Sequence, residues 1–172
     1  MIWVRSWPTD PPAGRAHVVD DLPRLNIFRH DLATDPRLYT LQQDILLLEW
    51  DVALEPLERR RFEQLVAEAP DQVQVAPYRL YPTSTGLSEP VWAHRAGRHG
   101  ERWISFGEPT CDHFGFGLVY LPWALVLRYL EAGPINSQTS WFNDSNFSLW
   151  HYAQVGRPVP VHWEVRPVHL RG

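Results

Sequence analysis

The chain has 172 residues, a length that suits one domain, here taken as residues 1–172, with a substantial core of its own. Hydrophobic residues make up 44%, with nine Trp, seven Phe and six Tyr, which excludes an intrinsically disordered protein. A net charge of −4 with a pI near 6.0 gives no broad positive field, which counts against sequence-independent nucleic-acid binding.

All sixteen basic residues are arginine, a usage that the codon composition of a high-GC genome explains. Cys111 is the only cysteine, so an intramolecular disulfide or a cysteine-rich zinc cluster is ruled out, and a small buried thiol is expected. The first residues lack the apolar core of a secretory signal, and no run is long enough to span a bilayer. The expectation is a cytoplasmic protein without a membrane partner.

In chain order, Ile2 to Trp7 predicts a first strand, broken by Pro8 and Pro11-Pro12. Arg5 in that strand is read either as a phosphate contact or as a surface arginine. His17 to Leu22 is a short apolar piece ending in acids, where Asp20 or Asp21 meets a ribose or base edge, or caps a turn. Asn26 to Asp31 predicts another strand, and Asp35-Pro36 the start of a short helix burying Leu38 and Leu41.

The most informative stretch follows. Ile45-Leu46-Leu47-Leu48 has no polar alternation, the pattern of a central strand covered on both faces, and it ends in Glu49-Trp50-Asp51. In open α/β sheets ligands bind beyond the carboxyl ends of the strands. Two carboxylates one residue apart can hold a hard divalent cation there, though acids also end strands simply because the chain returns to water.

Pro56 predicts a helix with Phe62, Leu65, Val66 and Ala69 on one face, ended at Pro70-Asp71, and with Arg59, Arg60 and Arg61 on a solvated face beside Glu58 and Glu63. Gln72 to Leu80 predicts a strand. Residues 81–110, rich in Pro, Ser, Thr, Gly and His, predict a long excursion or small hairpin in which His94 and His99 are exposed. Cys111 to Pro122 predicts a short strand preceded by two glycines, Gly115 and Gly117, at a tight turn or a close backbone approach. A helix opens at Pro122 with Trp123, Val126, Leu127 and Leu130 inward and Gly133-Pro134 as its stop.

Asp144 sits among Trp141, Phe142, Phe147 and Trp150. It is read either as a desolvated carboxylate acting as a base or as the N-cap of a helix starting at Ser145. Val159 to Val168 predicts a closing strand that leads to His169.

The ordered set of Glu49-Trp50-Asp51, the glycine-aromatic segment 111–130, Asp144 and the late His169 resembles glycosyltransferases of the GT-A type, and in particular the small glycosyltransferase-like proteins of actinobacteriophages. The first acid of the motif is Glu rather than Asp, and the N-terminal nucleotide-binding half is short. The resemblance implies an α/β fold, a single-domain GT-A-like (Rossmann-like) mixed sheet flanked by helices. It implies a metal-dependent glycosyltransferase moving a sugar from a nucleotide-diphosphate donor to a hydroxyl acceptor, a modified phage DNA base or a glycan, in the host cytoplasm if phage-encoded. Asp51 and His169 would then hold Mn²⁺ or Mg²⁺, with Arg5, Asp20, Glu49 and Asp51 on the donor side and Asp144 as general base. The alternatives are a non-catalytic carbohydrate-binding or phage assembly module, motivated by the tryptophan content, and a metal-dependent hydrolase.

Overall fold

A computed structural model describes residues 1–6, 16–25, 40–82, 86–132 and 143–170. The predicted strand 26–31, the helix start at Asp35-Pro36 with Leu38, and the stop at Gly133-Pro134 lie outside the described residues. The first three strands are β1 (Ile2–Ser6), β2 (Arg24–Leu25) and β3 (Ile45–Glu49), followed after a tight turn by β4 (Val52–Ala53) and helix α1 (Pro56–Val66). Short strands β5 (Gln74–Val75), β6 (Arg79–Leu80), β7 (Val91–Trp92), β8 (Arg95–Ala96), β9 (Arg102–Trp103) and β10 (Thr110–Cys111) come next. The chain then forms β11 (Leu118–Leu121), helices α2 (Trp123–Ala132) and α3 (Asn143–Gln154), and strands β12 (Val159–Pro160) and β13 (Val168–His169).

The fold is mixed α/β. Its main sheet has the order β2-β1-β3-β11-β5, with β1 parallel to β2 and β3, and β11 antiparallel to β3 and β5. The aliphatic run 45–48 is the middle strand, and all four side chains are at most 2% exposed. Alternation along β3 and β11 divides these residues between two cores. Ile45, Leu47, Val119 and Leu121 pack with Val126 and Tyr129 of α2 and Phe147 and Trp150 of α3. Leu46, Leu48, Leu118 and Tyr120 pack with Phe62 and Val66 of α1. Helices thus cover both faces of the sheet, which is why the strand reads as unbroken hydrophobicity; each such side chain contributes about 1.5–3 kcal/mol on burial.

Asp44, just before β3, ties the layers together. Its carboxylate accepts from the Trp123 N–H at the start of α2 (2.9 Å) and from the Tyr120 hydroxyl (3.0 Å).

Several expected boundaries move. The Gln72–Leu80 run splits into β5 in the main sheet and β6 in a separate ribbon with β7, because Pro77 has no N–H to continue a ladder. The Val159–Val168 run also divides: β12 pairs with β10 and β13 with β4, with a turn at Trp163-Glu164 and Pro167 between them. Helix α1 ends at Val66, so Ala69 and Pro70 lie beyond it. In α2 the fully buried residues are Leu125, Val126, Tyr129 and Leu130, with Trp123 and Leu127 at the edge of the buried face. The 81–110 excursion contains a β8–β9 hairpin.

Candidate metal centre

The tight turn after β3 carries Trp50 and Asp51, and the C-terminal strand closes over it. β13 pairs with β4 so that His169 stands opposite Val52, and the Leu170 N–H donates to the Asp51 carbonyl (2.8 Å). This register sets the His169 Nε2 3.4 Å from the Asp51 Oδ2. Asp51 has no exposed surface, and His169 is 8% exposed. With Glu49 the two form a group in which one ligand atom from each lies within 4.8 Å of the others.

The donor set fits a divalent cation. Two carboxylates and an imidazole are a ligand set for a divalent metal ion, and carboxylates gathered at low dielectric repel one another until a cation neutralises them.

Arg5 is neither a surface arginine nor a residue of the neighbouring cavity, and Asp20 takes the turn-capping role of its two expected ones. Arg5 is wholly buried, and its Nε and Nη2 grip the Asp20 carboxylate at 2.6–3.1 Å. Its Nη1 donates to the carbonyls of Glu49 (2.6 Å) and Val52 (3.1 Å), the two ends of the acidic turn. Burial alone would raise the Asp20 pKa, but the hydrogen bonds and charge of Arg5, the Leu22 N–H and the charge of Arg59 hold it below the usual carboxylate value. Neither residue lines the cavity described next; the pair braces the turn from behind, and Asp20 also caps the turn to Leu22.

The cavity beside the turn has a volume of about 490 Å³ and is lined by Glu49, Tyr78, Arg95, Trp103, His113, Asp144 and His169 among others. Asp144 enters it from the first turn of α3. The residue is half-buried, yet burial of its carboxyl is the dominant influence and pushes its pKa up to about 7, against hydrogen bonds from Ser145 and the Phe116 backbone. It lies within the helix rather than just before it. Three distant parts of the chain thus meet here: Glu49, Asp144 and His169 line the cavity, and Asp51 is buried against His169.

Tyr78 was not distinguishable in the sequence. Its phenol runs beneath the two glycines: a β-carbon at Gly115 would fall 2.8 Å from the hydroxyl, and one at Gly117 would overlap the ring. The overlap at Gly117 is the one that calls for a glycine. Burial, reinforced by the charges of Glu49, Asp144 and Asp51, raises the Tyr78 pKa and keeps the phenol protonated. Its ring also lies 5.6 Å from that of His169.

His94 corrects an expectation. It is fully buried, with its Nε2 3.2 Å from the Ala76 carbonyl, and the Gly115 N–H donates to its Nδ1 at 3.4 Å. Burial lowers its pKa to about 4, so it is a neutral prop beneath the glycine segment. His99 is exposed at the rim of the cavity. Cys111 is buried with its pKa raised by desolvation, the inert thiol expected.

A scan of the chain against models of known protein families finds no match, and a search of curated proteins finds none. Among solved structures the chain is similar to one described as A197 from STIV, at 12% identity and a TM-score of 0.50, covering 98% of this chain and 81% of that one. At this identity the likeness shows the fold alone. Among the described residues no helix is long and apolar enough to cross a membrane.

Proposed function

We propose that this chain is a GT-A-type, metal-dependent glycosyltransferase that uses a nucleotide-diphosphate sugar as donor. The observation that carries the reading is that Glu49 and His169, which form a candidate cation group with the buried Asp51, line the same cavity as Asp144. The parallel β1–β3 half-sheet, with its acidic turn at the carboxyl end of the central strand, supports a donor seated over that edge.

In this reading Glu49, Asp51 and His169 hold Mn²⁺ or Mg²⁺, which when bound offsets the negative charge that grows on the departing nucleoside diphosphate. Asp144 takes the proton from an acceptor hydroxyl as its oxygen bonds to the anomeric carbon and the bond to the diphosphate breaks. A carboxyl with a pKa near 7 suits that work at neutral pH better than an ordinary one. Arg95 replaces Arg5 as the guanidinium available to a phosphate oxygen: it lines the cavity, stacks on Trp103 at 3.9 Å, and gives one N–H to the Gly100 carbonyl (2.9 Å). The acceptor is a hydroxyl on a glycan or a modified DNA base.

The test is a panel of nucleotide sugars with and without Mn²⁺, read by thermal shift and by release of nucleoside diphosphate. At least one donor should raise the melting temperature only with metal and be turned over slowly. A panel with no metal-dependent shift and no release overturns the proposal.

A further inference from the structure

The β6–β7 ribbon has a cavity on each face. Alternation along its strands sends Leu80 and Ala93 toward the cavity already described and Arg79, Tyr81 and Trp92 into a second one of about 420 Å³. His169 belongs to both walls.

The second cavity has a different chemistry. Trp92 and Trp163 meet edge to face with ring centroids 4.9 Å apart, and Phe106 closes the group at 5.0 Å from Trp163. Trp163 is fixed by donating its Nε1–H to the Glu108 carbonyl (2.6 Å). Phe106 is 78% exposed, an aromatic surface that folding alone leaves unused. Among the described residues no carboxylate lines this cavity, whereas Glu49 and Asp144 line the other. Its charged groups are Arg79, lying over the Trp92 ring at 5.1 Å, and Arg166. Both are exposed, and among the described residues no ion pair neutralises either.

Aromatic faces accept the C–H face of a sugar ring, and guanidinium groups without acidic partners select an anion by paired hydrogen bonds. A neutral sugar would leave the two positive charges uncompensated; a purely inorganic anion would leave the rings unused. We propose that this second cavity binds an anionic sugar unit, a hexuronate or a hexose phosphate, with its ring against Trp92 and Phe106 and its acid group on Arg79 and Arg166. The site stands whether or not the neighbouring metal centre transfers sugar.

The test titrates the full chain, in excess chelator so that the metal centre takes no part, with a galacturonate trisaccharide, glucose 6-phosphate, a neutral galactose oligosaccharide and inorganic phosphate. Tryptophan fluorescence and calorimetry report binding. At least one anionic sugar should bind and perturb the fluorescence, with tenfold or greater weakening in both Phe106→Ala and Arg166→Gln, exposed positions whose variants are compared with the parent by circular dichroism. Whether the carboxylate or the phosphate sugar binds identifies the source of the charge. Binding of the neutral sugar with equal strength, binding of inorganic phosphate alone, no binding of either anionic sugar, or wild-type binding by either variant overturns the proposal. Manganese binding is measured separately, so failure of the metal reading is distinguishable.

Discussion

The ring of Tyr78 occupies the space that a side chain at Gly117 would need. The same glycine accepts the Glu49 N–H through its carbonyl (3.1 Å), so the phenol, the glycine segment and the acidic turn are one packed unit.

Gly117→Ala should therefore displace the Tyr78 ring or the β3–β11 junction. Overpacking of this kind costs about 1–3 kcal/mol, a fall of several degrees in melting temperature for a chain of this size. Thermal unfolding measures it, and the double variant Gly117→Ala/Tyr78→Leu should recover part of the loss. An alanine variant as stable as the parent would show that the ring does not lie there.

Replacing Asp20 leaves the buried Arg5 guanidinium without its carboxylate, whereas replacing Arg5 leaves Asp20 paired with Arg59 at 3.2 Å. Asp20→Asn should lower unfolding stability by about 3 kcal/mol in denaturant titrations, and the two changes Arg5→Met and Asp20→Asn together should cost less than their sum. The Asp20 pKa is depressed, so its contribution is present above the ordinary carboxyl value and is lost as pH falls through the folded value. The parent should lose more stability on acidification below about pH 4 than Asp20→Asn does.

Asp144 has the opposite sign. Its pKa rises from 3.8 to about 7 on folding, so between these values the folded chain keeps a proton that the unfolded chain has lost. Stability contributed by this group falls as pH rises through that window and levels off above it. His94 and His151, each lowered to about 4 by burial, act in the reverse direction as pH falls from 6.5. The difference between parent and Asp144→Asn isolates the carboxyl: the variant should gain stability relative to the parent as pH is raised from 4 to 7. In transfer assays the parent should lose rate below an apparent pKa near 7, and Asp144→Asn should cost about 10²–10⁴-fold while donor binding persists.

The parts of this arrangement that the sequence discloses are those with a local cause. Ile45 to Leu48 disclose a doubly covered strand because helices shield both faces, and the change to Glu49 and Asp51 marks where it ends. Asp144 stands out through its aromatic neighbours, and His169 through its place after the closing strand, its role at a metal coming from the family resemblance. What is hidden depends on contacts distant in sequence. Arg5 reaches Glu49 and Val52 only because β1 and β3 are neighbours, and nothing around Tyr78 or His94 announces that the glycine segment will settle on them. The division of 72–80 between two sheets is hinted at by Pro77, but its alternating pattern masks the break.

The cation site itself is tested most directly by titrating Mn²⁺ into the metal-free chain and following free manganese by electron paramagnetic resonance, for the parent, Asp51→Asn and His169→Gln. One ion should bind per chain, and each substitution should weaken it by at least tenfold with the circular dichroism spectrum unchanged. A parent that leaves manganese free, or folded variants that hold it as tightly as the parent, would contradict the assignment of Glu49, Asp51 and His169.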